Sequence, residues 1–280
     1  MEKAIKRYSP IFVLPTMIAF TLGFIIPFVE GVYLSFCKFT TVNDAKFIGF
    51  ANYAKVFADE TFVHAFWYTA AFTVVSVILI NVLAFAVALL LTKGFKGTNI
   101  FRTVFFMPNL IGGIVLGYIW QLLLNGILMK FSRTLTYSST YGFWGLIILM
   151  CWQQIGYMMI IYIAGIQNIP GELIEAAEID GATKWQILKK VTIPMVMPSI
   201  TVCTFLTLTN SFKLFDQNLA LTNGEPSKMS EMLALNIFNT FYGRTGYEGV
   251  GQAKAVIFFI LVTVIALTQN YLTRRKEVQQ

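Results

Sequence analysis

Residues 66–91 of the chain read FWYTAAFTVVSVILINVLAFAVALLL and carry no charged side chain. An α-helix needs roughly 20 mostly apolar residues to cross the hydrocarbon core of a bilayer, so this segment is predicted to span a membrane. The rest of the sequence agrees, because 56% of the 280 residues are hydrophobic and only 12% are charged, against about 25% charged in an average soluble domain. This composition excludes a soluble enzyme, a disordered protein and a nucleic-acid-binding module.

Further apolar segments of similar length lie on both sides of this one. Segment 11–36 is too long for the apolar region of a signal peptide, and no small-residue cleavage motif follows it, so it is predicted to stay in the membrane. The predicted spans are residues 11–36, 66–91, 104–124, 143–166, 195–215 and 250–272. We therefore predict an all-α integral membrane protein with six transmembrane helices, forming a single domain over residues 1–280.

Basic residues are concentrated beside the span ends on one side of this topology. They are Lys3, Lys6, Arg7, Lys93, Lys96, Arg102, Lys184, Lys189, Lys190, Arg274, Arg275 and Lys276. The other lysines and arginines are spread over longer loops, where charge has less influence on orientation. Both termini are therefore predicted to face the cytoplasm, and no nucleic acid is needed to explain the net charge of +7.

The segment between the fourth and fifth predicted spans, Gln167–Pro194, reads QNIPGELIEAAEIDGATKWQILKKVTIP. We call it the elbow. Asn168 can cap a first short helix, with Pro170 near the first helical position, where its missing N–H has no intrahelical partner to lose. Gly181 fits the C-terminal end of that helix, because glycine readily adopts the left-handed conformation found there.

A second short helix is predicted in the same segment. Thr183 and Gln186 have the spacing of a capping box, and Pro194 is predicted to end the helix. Two capped helices joined by a glycine are more than a simple connection between spans requires. An amphipathic hairpin lying on the membrane without a partner would show the same pattern and stays open as an alternative.

The elbow also resembles part of a known family. Residues 175–182, EAAEIDGA, followed by Ile193-Pro194, are similar to the EAA loop of permease subunits in binding-protein-dependent ABC importers. Residues 49–53, GFANY, and 221–226, LTNGEP, resemble stretches of the carbohydrate branch of that family, the relatives of maltose and glycerol-3-phosphate uptake permeases.

The resemblance implies a cytoplasmic coupling helix that inserts into a groove on a separate ATPase subunit. The residues it implies at that contact are Glu175, Ala176, Ala177, Asp180 and Gly181. The partners it implies are a second permease subunit, two ATPase subunits and an extracytoplasmic solute-binding protein, all at the inner membrane of a prokaryotic cell. The chain would then be a multi-pass permease that forms half of the pathway for a mono- or oligosaccharide.

The sequence lacks the motif that would let this chain hydrolyse ATP itself. No G-x-x-x-x-G-K-[ST] stretch occurs, so we expect no catalytic residue here and expect ATP and Mg²⁺ to be bound by the partner ATPase. His64 is the single histidine and is interpreted as an interfacial anchor or a core residue and not as a ligand. No metal site and no resident cofactor are predicted, because zinc sites need clustered ligands.

The predicted spans carry no charged residue near their middle, since Glu30 and Asp216 fall near predicted outer ends. A charge at mid-membrane usually marks ion coupling, so this pattern favours a neutral solute. It disfavours a proton- or sodium-driven carrier. A facilitative or secondary carrier for a neutral polar solute, and an ABC permease for a non-sugar solute, stay open as alternatives.

Neutral polar side chains recur within the fourth and fifth predicted spans. Thr207, Asn210 and Ser211 share one helix face, as a hydroxyl-binding site would require, although hydrogen bonds between helices use the same residue types. The resemblance implies that sugar-binding positions of maltose-type permeases correspond to Gln153, Gln154, Tyr157, Thr207, Asn210, Ser211 and Leu214. These are the candidate residues of the solute pathway.

Overall fold

The structure, a computed structural model, describes residues 2–94 and 96–274, which are almost entirely helical. Within those residues, five helices are long and apolar enough to cross a membrane, and one bent helix pair could supply a sixth crossing. The five helices are Ile11–Leu34, Glu60–Leu91, Gly113–Phe131, Ser139–Gln167 and Glu248–Leu272. The bent pair is Lys184–Met195 with Met197–Phe212, whose axes differ by 69°. The predicted fold class, an all-α membrane protein, is confirmed.

In the described residues the secondary structure consists of helices and one short pair of strands. The helices are α1 (Glu2–Phe20), α2 (Ile26–Leu34), α3 (Ala51–Phe57), α4 (Glu60–Leu91), α5 (Thr98–Phe106), α6 (Gly113–Leu128), α7 (Ser139–Gln167), α8 (Gly171–Ile179), α9 (Lys184–Ile187), α10 (Ile193–Met195), α11 (Met197–Phe212), α12 (Asp216–Leu221), α13 (Leu233–Gly243) and α14 (Glu248–Arg274). Wider π-helical turns at Thr21–Ile25 and Leu188–Thr192 join α1 to α2 and α9 to α10. Strands β1 (Cys37–Lys38) and β2 (Lys46–Phe47) form a short antiparallel pair. Single 3₁₀ turns occupy Val42–Asp44, Met107–Leu110, Met129–Phe131 and Leu135–Tyr137.

Two compact units are present in the described part of the chain. The first is drawn from residues 1–60 and 237–260, and the second from residues 61–236 and 261–280. The sequence predicts one membrane domain over residues 1–280, and this stays a prediction. Arg275 and Lys276, which belong to the predicted cytoplasmic set, lie outside the described residues.

The first unit contains a fully buried lysine. Lys254 Nζ lies 2.7 Å from Asp59 Oδ2 and 2.8 Å from Thr240 Oγ1, so its charge is paired, as burial requires. In the same unit Asn52 Nδ2 donates to the carbonyls of Ser35 and Cys37. These contacts hold the segment after α2 against α3.

The second unit is organised around α7. In its most apolar window, 61% of the residues are buried, against 28% for α4. Glycines allow close approach between helices here. A β-carbon at Gly156 would overlap the carbonyl of Phe105, and one at Gly117 would overlap the side chain of Ala220. The end of α5 therefore packs directly on α7, and α12 packs directly on α6.

The predicted third span, residues 104–124, crosses a break in the structure. After α5 a 3₁₀ turn occupies Met107–Leu110, and α6 begins only at Gly113. Pro108 has no N–H to donate within a helix. Gly112 then has the extended conformation of an N-cap, with φ −61° and ψ 141°. One apolar stretch therefore contains two helices, which hydropathy alone does not reveal.

Candidate coupling surface and solute pocket

The turn of the elbow is set by the backbone at the end of α8. Gly181 has φ 74°, in the left-handed region that glycine adopts without a β-carbon clash. Its N–H donates to the carbonyl of Glu178, and the N–H of Ala182 donates to the carbonyl of Ala177, each at 3.0 Å. This is the Schellman pattern, and the helix ends where the sequence predicts.

The helix that follows begins with the predicted capping box. Thr183 Oγ1 accepts the N–H of Gln186 at 3.4 Å, and Gln186 Oε1 accepts the N–H of Thr183 at 2.7 Å. The predicted cap of the first helix is wrong, because Pro170 occupies the N-cap of α8 and Asn168 instead caps the end of α7. The N–H of Asn168 still bonds to the carbonyl of Ala164 at 3.2 Å, which extends α7 past the predicted boundary.

The second elbow helix does not end at Pro194, contrary to the prediction. Residues 184–195 continue as one helix through the π-helical turn, and the 69° bend follows at Val196. Pro194 lies in the first turn of α10, a position where its missing N–H is tolerated. A β-carbon at Gly165 of α7 would overlap α11, so the bend is packed tightly against α7.

Most residues implied at the ATPase contact lie on one exposed face of α8. At 3.6 residues per turn, Glu175, Ala176 and Asp180 fall on the same side, and all three are exposed. Ile179 lies in the middle of this face and is 86% exposed, although the sequence analysis did not select it. Leu173 and Trp185 are exposed as well, so the elbow exposes three large apolar side chains outside the predicted spans. Grouped exposed apolar residues of this kind indicate a surface that a partner covers.

The inner side of the elbow forms a small pocket of about 250 Å³. Its lining consists of Ala177, Asp180, Gly181, Ala182, Gln186, Ile187, Lys190 and Val191. Ala177 is only partly exposed, and Gly181 lies at the apex of the turn. The five predicted contact residues are therefore divided between the outer face and this inner side.

A larger pocket, of about 400 Å³, lies where α11 ends and α12 begins. We call it the α11–α12 pocket. It is lined by Met150, Gln154, Asn210, Lys213, Leu214, Phe215, Asp216 and Gln217. Three of the predicted solute-pathway residues, Gln154, Asn210 and Leu214, are in this lining. Asn210 Nδ2 lies 3.5 Å from Gln154 Oε1, at the limit of a hydrogen bond.

The other predicted solute-pathway residues lie close by without lining the pocket. Gln153 Oε1 accepts a hydrogen bond from Gln217 Nε2 at 2.8 Å, so it orients a lining residue. Tyr157 packs against an aromatic ring at the end of α5. Thr207 and Ser211 are fully buried in this structure. Whether any of these side chains contacts solute stays a prediction.

Thr207 belongs to a polar contact between three helices that the sequence analysis missed. Asn81 Nδ2 donates to Thr207 Oγ1 at 3.2 Å, and Tyr162 Oη donates to Asn81 Oδ1 at 2.7 Å. The contact ties α4, α7 and α11 together. Asn81 is the only amide in residues 66–91, so its place in an apolar run was a usable signal.

Two charged residues flank the break between α11 and α12. Lys213 follows the last residue of α11, Asp216 is the first residue of α12, and the coil 213–215 separates the two helices. Gln217, next to Asp216, bonds to Gln153 of α7. The expectation that the middle of each span carries no charge stays a prediction. Charge and irregular backbone are tolerated within a membrane where they line a cavity.

The remaining polar candidate, His64, is held by the backbone. Its Nε2 lies 2.9 Å from the carbonyl oxygen of Met229, which ties the start of α4 to the segment before α13. Over residues 2–94 and 96–274, no group of three or more histidine, cysteine or acidic side chains is arranged to hold a metal ion.

An all-helical membrane chain with an exposed capped elbow and a polar pocket at the end of a broken helix has the features of a transport subunit that works with partner proteins. Residues 80–278 match the family described as "Binding-protein-dependent transport system inner membrane component". The chain belongs to this family, and it is a multi-pass permease component of a transport system.

Individual relatives align over almost the whole chain. The chain is 42% identical over 278 residues to the "Probable starch degradation products transport system permease protein AmyD" of Thermoanaerobacterium thermosulfurigenes, covering 96% of this chain and 94% of the relative. It is 29% identical to the "Multiple sugar-binding transport system permease protein MsmF" of Streptococcus mutans, covering 99% of each. A chain of a bacterial ABC transporter "involved in the import of the acidic polysaccharide alginate" superposes with a TM-score of 0.83 at 23% identity over 98% of both chains. That match establishes the shared fold.

Proposed function

We propose that the chain is one of two permease subunits of an ATP-driven importer for sugars of the kind released from starch, and that it forms half of the translocation pathway. The observation that carries the proposal is the continuity between the elbow and the α11–α12 pocket. One helical segment, Lys184–Met195, leads from the elbow to the bend, and α11 leads from the bend to the pocket. The sugar-named relatives support carbohydrate as the solute class.

The exposed face of α8 is the contact with the ATPase in this proposal. Ile179 supplies an apolar side chain for a groove, while Glu175 and Asp180 meet basic or N–H groups at its edges. The partner ATPase binds and hydrolyses ATP with Mg²⁺. Because the Schellman turn and the capping box fix both ends of the turn, a displacement of α8 reaches α11 instead of being absorbed by a loose loop. Alternating access follows when α11 rocks around the pocket.

The assembly contains further partners. A second permease supplies the other half of the pathway, two ATPase subunits bind the elbows, and an extracytoplasmic solute-binding protein delivers the sugar to the outer loops. Lys184, Lys189 and Lys190 lie within the elbow, and Lys93 is next to Thr92 and Gly94, which line a pocket together with Gln167. By the positive-inside rule, this side and both termini face the cytoplasm. The membrane is the inner membrane of a prokaryotic cell.

Co-purification from the native membrane tests the coupling contact. The tagged chain should retain an ATPase subunit and a second membrane subunit, whereas Ile179→Asp should lose the ATPase and keep the second permease. Because the side chain of Ile179 is exposed, its replacement should not disturb folding, so misfolding would not explain the loss of the ATPase. Lys130→Glu, a charge reversal of an exposed residue far from the elbow in sequence, serves as the control and should retain the ATPase and the second permease.

Two results would contradict the proposal. A wild-type chain that inserts in the membrane but purifies without any ATPase contradicts the importer mechanism. Sugar uptake that continues without ATP and is unchanged by Ile179→Asp favours a carrier instead.

A further inference from the structure

The two charged residues of the α11–α12 pocket have opposite signs and lie on one short stretch of chain. Lys213 follows α11, Asp216 begins α12, and both side chains are exposed where they line the pocket. In the part of the chain that the structure describes, neither side chain forms an ion pair or a side-chain hydrogen bond. A cation and an anion are thus both available to a molecule in the pocket.

We propose that Lys213 and Asp216 select an uncharged glycosyl unit and exclude charged sugars. The inference rests on the proposed function and narrows its substrate class. A carboxylate can only accept hydrogen bonds, and an ammonium group can only donate them. A sugar hydroxyl does both, so adjacent hydroxyls of a neutral ring satisfy the two side chains together. A uronate carboxylate can pair with Lys213, but it has no proton to donate to Asp216, and the two carboxylates repel each other in the same pocket.

The amide side chains beside Lys213 and Asp216 can also form hydrogen bonds with a sugar in the pocket. Gln217 donates its Nε2 to Gln153 at 2.8 Å, which fixes the amide and leaves its oxygen as an acceptor. The long contact between Asn210 Nδ2 and Gln154 Oε1, 3.5 Å, is weak by the usual geometric limits. A sugar hydroxyl can replace it without loss of a strong bond.

The remaining lining gives the pocket an apolar wall. Phe215, Leu214 and Met150 complete the surface, so the C–H face of a pyranose ring has an aromatic ring and aliphatic groups to pack against. The pocket volume of about 400 Å³ falls within the range of roughly 300–1,000 Å³ typical of small-molecule sites. A charged pair, amides and an apolar wall in one cavity form a complete recognition site for a neutral sugar ring.

The test uses the complete importer, with its second permease, ATPase subunits and binding protein, and two trisaccharide probes. Maltotriose is the neutral probe and trigalacturonate the acidic one. Uptake is measured in proteoliposomes. Contact with the permease itself is measured by saturation-transfer NMR on the detergent-solubilised transporter without its binding protein. The variants are Asp216→Asn and Lys213→Gln, and the matched controls are Glu30→Gln and Lys93→Gln, which neutralise exposed charges outside the pocket.

We expect wild-type transporter to show saturation transfer to maltotriose and little to trigalacturonate. Asp216→Asn should weaken the maltotriose signal about tenfold, because a hydrogen bond to a charged group is lost, and should strengthen the trigalacturonate signal. Lys213→Gln should also weaken the maltotriose signal without admitting trigalacturonate. Both controls should behave as wild type.

The possible contrary results are distinguishable. If wild type imports maltotriose but Asp216→Asn and Lys213→Gln match their controls in both assays, the inference is overturned and the proposed function stands. If wild type imports neither probe, or imports trigalacturonate instead, the proposed function and the inference fall together.

Discussion

The elbow and the α11–α12 pocket are both polar features of one subunit, but they are specified over very different distances in sequence. The hydrogen bonds that shape the elbow join Ala182 to Ala177 and Thr183 to Gln186. The bond that positions the pocket joins Gln217 to Gln153, 64 residues apart. The elbow is therefore a local backbone structure, whereas the pocket exists only if distant helices pack correctly. Substitutions should separate the two kinds of dependence.

The largest effect is expected from Gly117→Val, which acts on the packing beneath the pocket. A β-carbon at Gly117 would overlap Ala220 and force α12 away from α6. Overpacking of this kind destabilises by about 1–3 kcal/mol, and displacement of α12 should also abolish sugar uptake. The melting temperature of the solubilised complex and uptake in proteoliposomes report the two effects.

Gly126→Val provides the matched control on the same helix, because nothing lies within 4 Å of a β-carbon there. If Gly126→Val and Gly117→Val lower the melting temperature equally, the pocket does not depend on the close approach of α6 and α12.

Gly181→Ala should have the next largest effect, and it should act on coupling more than on folding. The left-handed conformation at φ 74° costs an L-residue about 1–2 kcal/mol, so the elbow should relax to a different angle. We expect maltotriose-stimulated ATP hydrolysis to fall about tenfold with little change in melting temperature.

Gly171→Ala is the control for this prediction, since Gly171 begins α8 with open space around it and no positive φ. Equal loss of stimulated hydrolysis in both variants would mean that the backbone angle at Gly181 is not what couples the ATPase to transport.

Thr183→Val should produce a smaller loss in the same assay. Valine keeps the shape of threonine but cannot accept the N–H of Gln186, and a lost N-cap costs about 1 kcal/mol. We expect stimulated ATP hydrolysis to fall several-fold. Thr183→Ser retains the capping oxygen and should restore most of it; a serine variant as impaired as the valine variant would argue against the capping box.

The smallest effect is expected at the exposed 3₁₀ turn Val42–Asp44, which begins with a capping box like that of the elbow. The N–H groups of Thr40 and Thr41 donate to Asp44 Oδ1 at 3.0 and 2.9 Å and hold the pKa of Asp44 below its usual 3.8. The ionised carboxylate stabilises the folded turn fully at pH values above the pKa that Asp44 has in the unfolded chain. This stabilisation is lost as the pH falls through the lower pKa of Asp44 in the folded turn.

An NMR titration of the amides of Thr40 and Thr41 should therefore show a midpoint below 3.8 in wild type. Asp44→Asn should remove that transition and leave the elbow unchanged. A wild-type midpoint at or above 3.8 would show that the turn does not stabilise the carboxylate.

Sequence reasoning succeeded where structure is encoded by neighbours. The turn at Gly181 after α8 and the N-cap of α9 at Thr183 follow from caps only a few residues long. The same reasoning failed at Pro194. After the π-helical turn Leu188–Thr192, this proline lies in the first turn of α10, where its missing N–H does not end the helix. The apolar segments 66–91 and 143–166 also lie within α4 and α7, because length and hydropathy define such helices directly.

The pocket was only partly predictable. Helical spacing and family resemblance selected Gln154, Asn210 and Leu214, which do line it. Lys213 and Asp216 were missed because hydropathy assigns charged residues to span ends. Their place in the pocket lining depends on where α11 ends and on the contact of α12 with α7, and the local sequence specifies neither.

The shortness of α11 has an electrical consequence. Its 16 residues reach roughly 24 Å, less than the hydrocarbon thickness of about 30 Å, so we expect the pocket at its end to lie where part of the membrane voltage is dropped. Each elementary charge that crosses 100 mV changes in energy by about 2.3 kcal/mol. Lys213 and Asp216 carry opposite charges on the same stretch of chain and move through that field together. A movement that carries the two charges together transfers no net charge, so we expect this pair to add no voltage dependence to sugar import.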